Sequence, residues 1–347
     1  MKVLFIAPSR KTRGGITSVI KAYENTNFWQ NWSCYWLETH IDRSFFEKIL
    51  YFLKAYIKFI FILYQFDIIH IHLSEPASAF RKLFFFIPAQ FLRKKIIVHF
   101  HSFSTETTIN SKFRILYKFL FKHSDTIIVL SDKWKQDLLK YIDLPTSKIY
   151  IIFNPADSTL VKNPYSLNNK TILYAGTLNT RKGYEDLLKS FKLLREHNSN
   201  YSLSFAGNGE IDRAKQIANN LGILDKITFH GWLTGEDKKH LFSTASIFCL
   251  PSYAEGFPMA VIDALSYGIP VITTPVGGLP DLLENNHNIL FFTPGNIEEL
   301  YRSLKNVVDD DSLKLRLSTN GFKIANDTFN ITSITHKIDT LYQNLLG

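Results

Sequence analysis

Short apolar runs alternate with amphipathic stretches along almost the whole chain, and the alternation occurs in two series. A short apolar run bounded by turn residues indicates a buried strand, and apolar positions recurring every three or four residues indicate a helix. Alternating strands and helices predict parallel sheets with helices on both faces, an α/β fold class. The predicted strands lie near residues 2–7, 33–38, 67–72, 95–100, 125–130 and 148–153, and near 170–175, 201–206, 226–230, 246–250, 270–274 and 289–292.

A polar segment separates the two series, and we predict a linker around residues 155–169. The 347 residues suffice for two domains. The sequence therefore predicts one domain over residues 1–155 and a second over 165–329. The tail, 330–347, has a helical pattern without a further strand.

The stretch 247–281 has the strongest combination of patterns in the chain. An apolar run ends at Pro251, a polar loop follows, and Pro258 suits the first position of a helix predicted over 258–267. The loop therefore lies at the carboxyl end of a strand, which is where open parallel sheets bind ligands. The unpaired N–H groups at the helix start suit a phosphate.

Two acids, Glu255 and Asp263, flank the start of this helix and are eight residues apart. Acids also favour helix N-termini for electrostatic reasons, so the pair alone does not distinguish a site from a stabilised helix. Their spacing, with E-G-F-P and the later G-G-L-P-D, resembles the acid-x7-acid signature of retaining, nucleotide-sugar-dependent glycosyltransferases of the GT-B, family-four (group 1) type. The family usually has Glu at the second position, where this chain has the shorter Asp263.

The resemblance implies two Rossmann-like domains whose parallel sheets face each other across a cleft. The N-terminal domain would bind the acceptor and the C-terminal domain the nucleotide sugar, and the tail helix would pack back on the first domain. It also implies retention of anomeric configuration. Asp263 would hold the ribose, and Glu255 would orient the sugar hydroxyls or the phosphate.

The dipeptide Arg181-Lys182 follows a strand that ends near Gly176 and precedes a helix. Arginine offers a bidentate fork and lysine a compact charge, so the pair fits two adjoining phosphates, although such pairs elsewhere are often solvated turns. The segment resembles the family's R-K-G, which implies a catalytic role in stabilising the leaving diphosphate. Gly14-Gly15, after the first strand, would let backbone approach the same diphosphate.

Two further segments resemble donor-binding segments of the family. FAGNGE follows a strand and resembles the G-x-G segment, and HGWL resembles the segment whose backbone reads the base. With the helix start after Glu255, they complete the predicted donor site: Gly14, Gly15, Gly176, Asn208, Gly209, Trp232, Leu233, Gly256, Phe257, Pro258, Met259, Ala260 and Asp263.

Four histidines alternate along two predicted strands, which places each pair on one face of its strand. They suggest a zinc site, but no cysteine or paired acid completes it, and we predict no metal. The D-x-D spacing within 309–311 lies between two helices and is interpreted as a solvated cap. The resemblance implies that His101 contacts the transferred sugar as a catalytic residue, and that His72 and Glu75 line the same cleft. The histidines are His70, His72, His99 and His101.

Segment 44–65 is apolar over too wide an arc for an ordinary surface helix, yet it is too short and lysine-interrupted to span a bilayer comfortably. One interpretation is a helix largely buried in its domain. The other is an interfacial helix whose Lys54 and Lys58 meet anionic lipid headgroups. Residues 1–155 contain 22 Lys and Arg against 11 Asp and Glu, a net charge of +11, whereas the whole chain has a net charge of +9. This concentration of positive charge in the first half favours the membrane interpretation.

Composition limits the remaining classes. A chain with 46% hydrophobic and 20% charged residues is globular. Two distant cysteines and a short apolar start without signal-peptide features favour a reducing compartment, hence a cytoplasmic protein at the inner face of the membrane. The basic residues adjoin apolar runs without a reading motif, so we predict no nucleic-acid partner.

The sequence thus predicts a metal-independent glycosyltransferase acting on a sugar or lipid-linked acceptor in polysaccharide biosynthesis. Its co-substrate would be a nucleotide-diphosphate sugar, UDP favoured over GDP, with no further cofactor. One alternative is a nucleotide-sugar epimerase of the same architecture, which would consume the sugar nucleotide without an acceptor. The other is a non-catalytic sugar-nucleotide or membrane-binding module, which has no need to keep Arg181, Lys182, Glu255 and His101 together.

Overall fold

A computed structural model describes residues 1–102, 104–156 and 165–347, which form two compact units. Unit 1 comprises Met1–Pro155 together with Ile331–Gly347, and unit 2 is Ala156–Asn330. The final helix of the chain therefore belongs to the unit that contains the first strand. Most of the predicted linker, 155–169, lies outside the described residues.

Unit 1 has a six-stranded, fully parallel sheet in the order β2-β1-β3-β4-β5-β6. Because β2 and β3 pair with opposite edges of β1, the strand order reverses between β1 and β3, and a crevice opens there at the carboxyl ends. The strands are β1 (Val3–Ala7), β2 (Tyr35–Glu38), β3 (Ile68–Leu73), β4 (Lys95–Phe100), β5 (Thr126–Val129) and β6 (Ile149–Ile151).

The helices of unit 1 cover both faces of its sheet, whose central strands β1, β3 and β5 are buried throughout. One face packs on a large aliphatic and aromatic core that includes Phe85 and Phe121. On the other face the fully buried Tyr342 of the last helix makes edge contacts with Trp32 and His70. The helices are α1 (Gly15–Glu24), α2 (Asn27–Asn31), α3 (Phe45–Ile62), α4 (Pro76–Phe91), α5 (Arg114–His123), α6 (Asp132–Ile142) and α13 (Ile331–Leu346).

Unit 2 repeats the architecture with a second parallel sheet of six strands, in the order β12-β11-β10-β7-β8-β9. Its order reverses between β7 and β10. The strands are β7 (Thr171–Ala175), β8 (Ser202–Ala206), β9 (Ile227–Gly231), β10 (Ile247–Leu250), β11 (Val271–Thr273) and β12 (Leu290–Phe291). The helices are α7 (Tyr184–His197), α8 (Ile211–Asn220), α9 (Gly235–Ser243), α10 (Met259–Ser266), α11 (Ile297–Asp309) and α12 (Asp311–Thr328).

The predicted α/β class with two Rossmann-like units is confirmed, and each predicted strand is present within two residues at either end. One helix start was wrong. Pro258 is not the first residue of α10 but its N-cap, in an extended conformation, so the helix begins at Met259. The shift follows from the extended conformation (φ −73°, ψ 111°) that Pro258 adopts at the end of the loop.

The interpretation of segment 44–65 as a largely buried helix is also wrong. Within α3 only Ala55 and Phe59 are buried, whereas Phe46 is 80% exposed and Phe61 72% exposed. In the described parts of the chain, every helix is too short or too polar to cross a membrane.

Candidate active site

The carboxyl edge of the unit 2 sheet brings three predicted residues together at the point where the strand order reverses. Arg181 and Lys182 follow β7, and Glu255 follows β10. Arg181 Nη1 lies 3.4 Å from Glu255 Oε2, and Lys182 Nζ forms an ion pair with Glu255 Oε1. The Glu255 side chain is only 8% exposed, against 34% for Arg181. Two cations thus share one carboxylate, which leaves a net positive charge at this edge.

A glycine with a left-handed backbone positions the basic dipeptide against β10. Gly183 has φ +67°, and a Cβ added to it would lie 1.9 Å from the carbonyl oxygen of Pro251. The approach lets the Tyr253 amide donate to the Arg181 carbonyl oxygen at 2.7 Å, while Arg181 Nη1 donates to the Ala254 carbonyl oxygen at 2.5 Å. Only glycine combines this φ with this close approach.

The two loops that carry E-G-F-P and G-G-L-P-D contact each other directly. A Cβ on Gly277 (φ +65°) would lie 2.4 Å from the Glu255 carbonyl oxygen, and the Gly278 amide donates to the Gly256 carbonyl oxygen at 2.9 Å. The Ser252 hydroxyl donates to Glu255 Oε1 at 2.7 Å. Sequence reasoning missed Ser252, because a serine at the end of a strand has no distinctive spacing.

Asp263 is a buried residue of α10 and already has a cationic partner. Lys238 of α9 donates to Asp263 Oδ2 at 2.7 Å. The sequence analysis did not identify Lys238, because only the tertiary fold brings α9 beside α10. Phe257 and the N-cap Pro258 lead into α10, whose first residues are Met259 and Ala260 and whose N-cap makes no side-chain capping bond. That helix start is available to an anion.

Backbone hydrogen bonds connect the glycine-containing loops after β7, β8 and β9 along the carboxyl edge of the sheet. The Gly176 amide donates to Ala206, and the Leu178 amide donates to the Asn208 carbonyl oxygen at 2.7 Å. The next loop joins through the Gly207 amide, which donates to the Gly231 carbonyl oxygen at 2.7 Å. The predicted residues on this edge are Gly176, Asn208, Gly209, Trp232 and Leu233, of which Trp232 is 37% exposed.

Unit 1 carries a ladder of four imidazoles on one face of β3 and β4. His72 Nδ1 lies 2.9 Å from His101 Nε2, and His70 Nε2 lies 3.3 Å from His99 Nδ1. The Tyr342 hydroxyl contacts His70 Nδ1 from α13. Burial lowers the pKa of His70 and that of His101 to about 3, so both rings are neutral at neutral pH.

Three of these imidazoles lie close enough together to be candidate metal ligands. The ligand atoms of His70, His72 and His99 lie within 4.8 Å of one another, and all three residues are fully buried. His72 Nε2 and His99 Nε2 have no hydrogen-bond partner among the described residues. The group contains no thiolate or carboxylate to offset a metal's charge, and the absence of a metal remains a prediction.

The other predicted residues of unit 1 surround the carboxyl edge of its sheet. Glu75 is the N-cap of α4 and accepts hydrogen bonds from Ser102 Oγ at 2.6 Å and Thr107 Oγ1 at 2.5 Å. Gly14 and Gly15 form the start of α1, which has no side-chain capping bond. In unit 2, Asp310 of the D-x-D run caps α12 by accepting from the Leu313 amide at 2.9 Å, as predicted.

Two family models together match residues 36–324. The model described as Glycosyltransferase Family 4 matches residues 36–160, and the model described as Glycosyl transferases group 1 matches residues 158–324. The chain belongs to this glycosyltransferase family.

Curated relatives agree with the family assignment, and a solved structure agrees with the fold. An uncharacterized glycosyltransferase of Haemophilus influenzae is 32% identical over 65% of this chain and 63% of its own length. The UDP-Gal:alpha-D-GlcNAc-diphosphoundecaprenol alpha-1,3-galactosyltransferase of Escherichia coli is 25% identical over 81% of this chain and 76% of its own length. The crystal structure of HepE from Anabaena with UDP-glucose superposes with a TM-score of 0.82, over 99% of this chain and 100% of that one, at 18% identity.

The chain spans less than two thirds of several curated relatives, with matches that cover 63%, 59% and 57% of three of them. Membership in the family therefore gives the fold, whereas the activity, the sugar, the acceptor and the roles of individual residues depend on the chemistry of the two carboxyl edges.

Proposed function

We propose that this chain transfers a sugar from a nucleotide-diphosphate sugar, UDP favoured over GDP, to a lipid-linked or cell-surface polysaccharide intermediate. The transfer would retain the anomeric configuration and need no bound metal. The observation that carries the proposal is the cluster of Arg181 and Lys182 around Glu255 at the point where the unit 2 strand order reverses.

The chemistry explains why this cluster suits the reaction. When the bond between the anomeric carbon and the leaving oxygen breaks, the electron pair remains on the diphosphate as additional negative charge. Arg181 and Lys182 would stabilise that charge from fixed positions, which is commonly the largest catalytic contribution of such sites. The start of α10 would add backbone N–H groups. With two protein cations present, a divalent ion is not required to neutralise the diphosphate.

The remaining roles follow the family resemblance. Asp263 would hold the ribose in exchange for Lys238, His101 would contact the transferred sugar, and Glu255 would orient sugar hydroxyls or phosphate. Retention rests on the resemblance, since none of these acids has an evident role as a covalent nucleophile. The complex of HepE with UDP-glucose and the diphosphoundecaprenol acceptor of the E. coli relative support the donor and acceptor classes.

Thermal-shift titration with UDP and GDP, followed by turnover of UDP-sugars, tests the donor class. We expect UDP to raise the melting temperature more than GDP, because a ligand that binds the native state stabilises it. Turnover should require a glycan or polyprenyl-diphosphate-sugar acceptor. Turnover to an epimer without acceptor would instead support the epimerase, and binding without turnover on any acceptor would support the non-catalytic module.

We further propose that unit 1 associates with the surface of a membrane through α3 and α4. Outward-facing apolar residues recur along α3 on the side opposite its buried residues, and α4 exposes a similar stripe. The two helices pack side by side through Phe52, Tyr56 and Phe84. The exposed apolar residues are Phe45, Phe46, Ile49, Leu50, Leu53, Ile57, Ile60 and Phe61 on α3, and Phe80, Phe84, Ile87 and Phe91 on α4.

Two observations favour a lipid surface over a protein partner as the ligand of these exposed helices. The exposed apolar arc of α3 is bordered by Lys54 and Lys58, as in interfacial helices whose basic residues meet anionic headgroups. The excess positive charge also lies in unit 1. Such a surface would bring the chain to the inner face of the cytoplasmic membrane, where a lipid-linked acceptor is found.

Flotation with vesicles tests this surface. We expect the wild-type chain to float with phosphatidylglycerol vesicles, less with phosphatidylcholine vesicles, and the Leu53→Glu, Ile57→Glu double variant to remain with the soluble protein. Leu315→Glu, at a 46%-exposed leucine of unit 2, is the matched control and should float like the wild type. A wild-type chain that stays entirely in the soluble fraction would contradict the proposal.

A further inference from the structure

Lys82 occupies a position in α4 where an apolar side chain is expected. It is 2% exposed and lies on the core-facing side of the helix with Ala79, Phe85, Phe86 and Ala89. Lysine is almost never fully buried unless its charge is paired. A methionine or leucine would fill the same space without the cost of desolvating an ammonium group.

The described residues give this lysine one polar partner and no counter-charge. Lys82 Nζ donates to Thr39 Oγ1 at 2.5 Å, and Thr39 in turn donates to the Ala7 carbonyl oxygen at 3.0 Å. An ammonium group has three N–H donors, so two remain unused. No carboxylate of the described residues lies within 4.0 Å of Lys82 Nζ. Burial lowers the pKa of Lys82 well below its usual range, as expected for a buried amine without an anion.

The neighbouring Arg81 is also unsatisfied. Its Nε is buried and has no hydrogen-bond partner among the described residues, and its guanidinium makes no ion pair with them. Burial lowers the pKa of His40 to about 4, with the charges of Arg81 and Lys82 acting in the same direction. Asp42, the acid facing this group, is 56% exposed and lies 3.6 Å from His40 Nε2. The cluster therefore has more positive than negative charge.

The cluster lies at the carboxyl edge of the unit 1 sheet. Thr39 follows β2 directly, and the Lys82 charge also contributes to the lowered pKa of His72, the ring that contacts His101. The same helix, α4, exposes the apolar stripe that begins at Phe80. One helix thus presents two unpaired cations near the edge where ligands of parallel sheets bind and an apolar face along its outer side.

We propose that Lys82 and Arg81 bind a phosphate group of the acceptor, the phosphate or diphosphate that links a glycan to its lipid. This inference rests on the proposed function, since it names the class of acceptor that the transferase would use. A phosphate would accept the unused donors of Lys82 and a fork from Arg81, and its negative charge would offset the burial of both cations. The flexible stem of Lys82 allows its ammonium to leave Thr39 for the ligand.

Equilibrium binding of farnesyl diphosphate, measured by titration calorimetry, tests the site independently of any transfer. We expect Lys82→Met and Arg81→Met each to weaken binding on the order of tenfold, because each removes a charge-assisted hydrogen bond. Lys118→Met, at an exposed lysine of α5, is the matched control and should bind like the wild type. Lys82→Met should also unfold at an equal or higher denaturant concentration, because an unpaired buried charge has been replaced by an apolar side chain of similar length.

Further ligands separate the possible sources of phosphate. Farnesol, which lacks the anion, should bind weakly and equally to wild type and Lys82→Met, whereas inorganic pyrophosphate should lose affinity as farnesyl diphosphate does. Binding of UDP and of phosphatidylglycerol vesicles should be unchanged in Lys82→Met, because the cations assigned to the donor diphosphate lie in unit 2 and a buried lysine does not reach headgroups.

The proposal is overturned if farnesyl diphosphate binds Lys82→Met and wild type equally, or if Lys118→Met loses as much affinity. It is also overturned if Lys82→Met loses affinity for UDP and keeps its affinity for farnesyl diphosphate. A variant that unfolds more easily than the wild type would likewise overturn it, because that result is expected if Lys82 only stabilises the fold. A wild-type chain that turns over no UDP-sugar would refute the transferase instead, whatever farnesyl diphosphate does.

Discussion

The carboxyl edges of the two sheets differ in charge pairing around β3 and β4 of unit 1 and around β7 and β10 of unit 2, although Arg10 of unit 1 pairs with Glu24 and Glu38. In unit 2 the ionised groups are paired: Glu255 with Arg181 and Lys182, and Asp263 with Lys238. In unit 1 the ends of β3 and β4 carry imidazoles that burial keeps neutral, and the nearby buried cation Lys82 has no anionic partner among the described residues. Two units with the same architecture thus present chemically different edges.

The difference fits the proposed function, in which the two units bind different substrates. A paired, rigid cationic site is preorganised for one highly charged ligand, because its groups need no reorganisation when charge develops. An edge of neutral rings beside exposed apolar helices suits a larger ligand that combines sugar, phosphate and lipid. In fold terms the two units are near repeats, so the specificity must come from the loops and from single buried residues.

The largest expected effect is in unit 2. Lys182→Met should lower the turnover number for sugar transfer on the order of 100- to 1000-fold, because it removes one fixed cation from the leaving diphosphate. Steady-state kinetics with a UDP-sugar measures this. Lys189→Met, at an exposed lysine of α7, should leave the rate unchanged. Undiminished transfer by Lys182→Met would show that the paired edge is not the catalytic one.

A smaller effect should follow from disturbing the loop that holds this pair. Gly222 and Gly183 have the same left-handed backbone, φ +68° and +67°, but only Gly183 lies against a neighbouring carbonyl. Gly222→Ala should cost about 1–2 kcal/mol of unfolding free energy from the backbone conformation alone. Gly183→Ala should cost about 1–3 kcal/mol more, because its Cβ overlaps Pro251.

Chemical denaturation of the two glycine variants measures the difference. Equal costs would mean that the close approach of the loop to β10 does not constrain it. A larger loss at Gly183, accompanied by slower transfer, would link the backbone geometry to the position of Lys182.

The smallest effect concerns pH and unit 1. The folded unit holds His70 with a pKa of about 3, whereas an unfolded histidine titrates near 6.5, so the unfolded chain binds more protons between these values. Stability is therefore complete above about pH 6.5 and is lost as the pH falls toward 3. The loss approaches about 1.4 kcal/mol per pH unit for each such histidine.

Hydrogen exchange measured at pH 7 and at pH 5 tests whether acid destabilises unit 1 more than unit 2. We expect amides of unit 1 to lose protection first, because the four histidines of unit 2 are all exposed. His99→Phe should reduce the pH dependence by keeping a ring in the ladder without a titrating group, and His123→Phe, at an exposed position, should not. Equal acid sensitivity of both units would refute the contrast.

The sequence predicted the strands, the α/β class and the residues of the unit 2 edge because each depends on local pattern. Apolar runs define strands, and the motif around Glu255 and Asp263 needs only short-range spacing. The sequence left two interpretations open for α3, buried or exposed. A wide apolar arc gives the pattern of apolar residues around a helix, but only the packing of the helix against its neighbours shows which of those residues are buried.

By itself, the sequence determined which segments form strands and helices and which loops carry charged or glycine-rich motifs, since those are properties of neighbours along the chain. Only the tertiary structure decided that Lys238 pairs with Asp263 and that Lys82 is buried without an anion among the described residues. The physical reason is that burial and charge pairing depend on strand order and on helices packing across long chain separations. No local pattern encodes those distances.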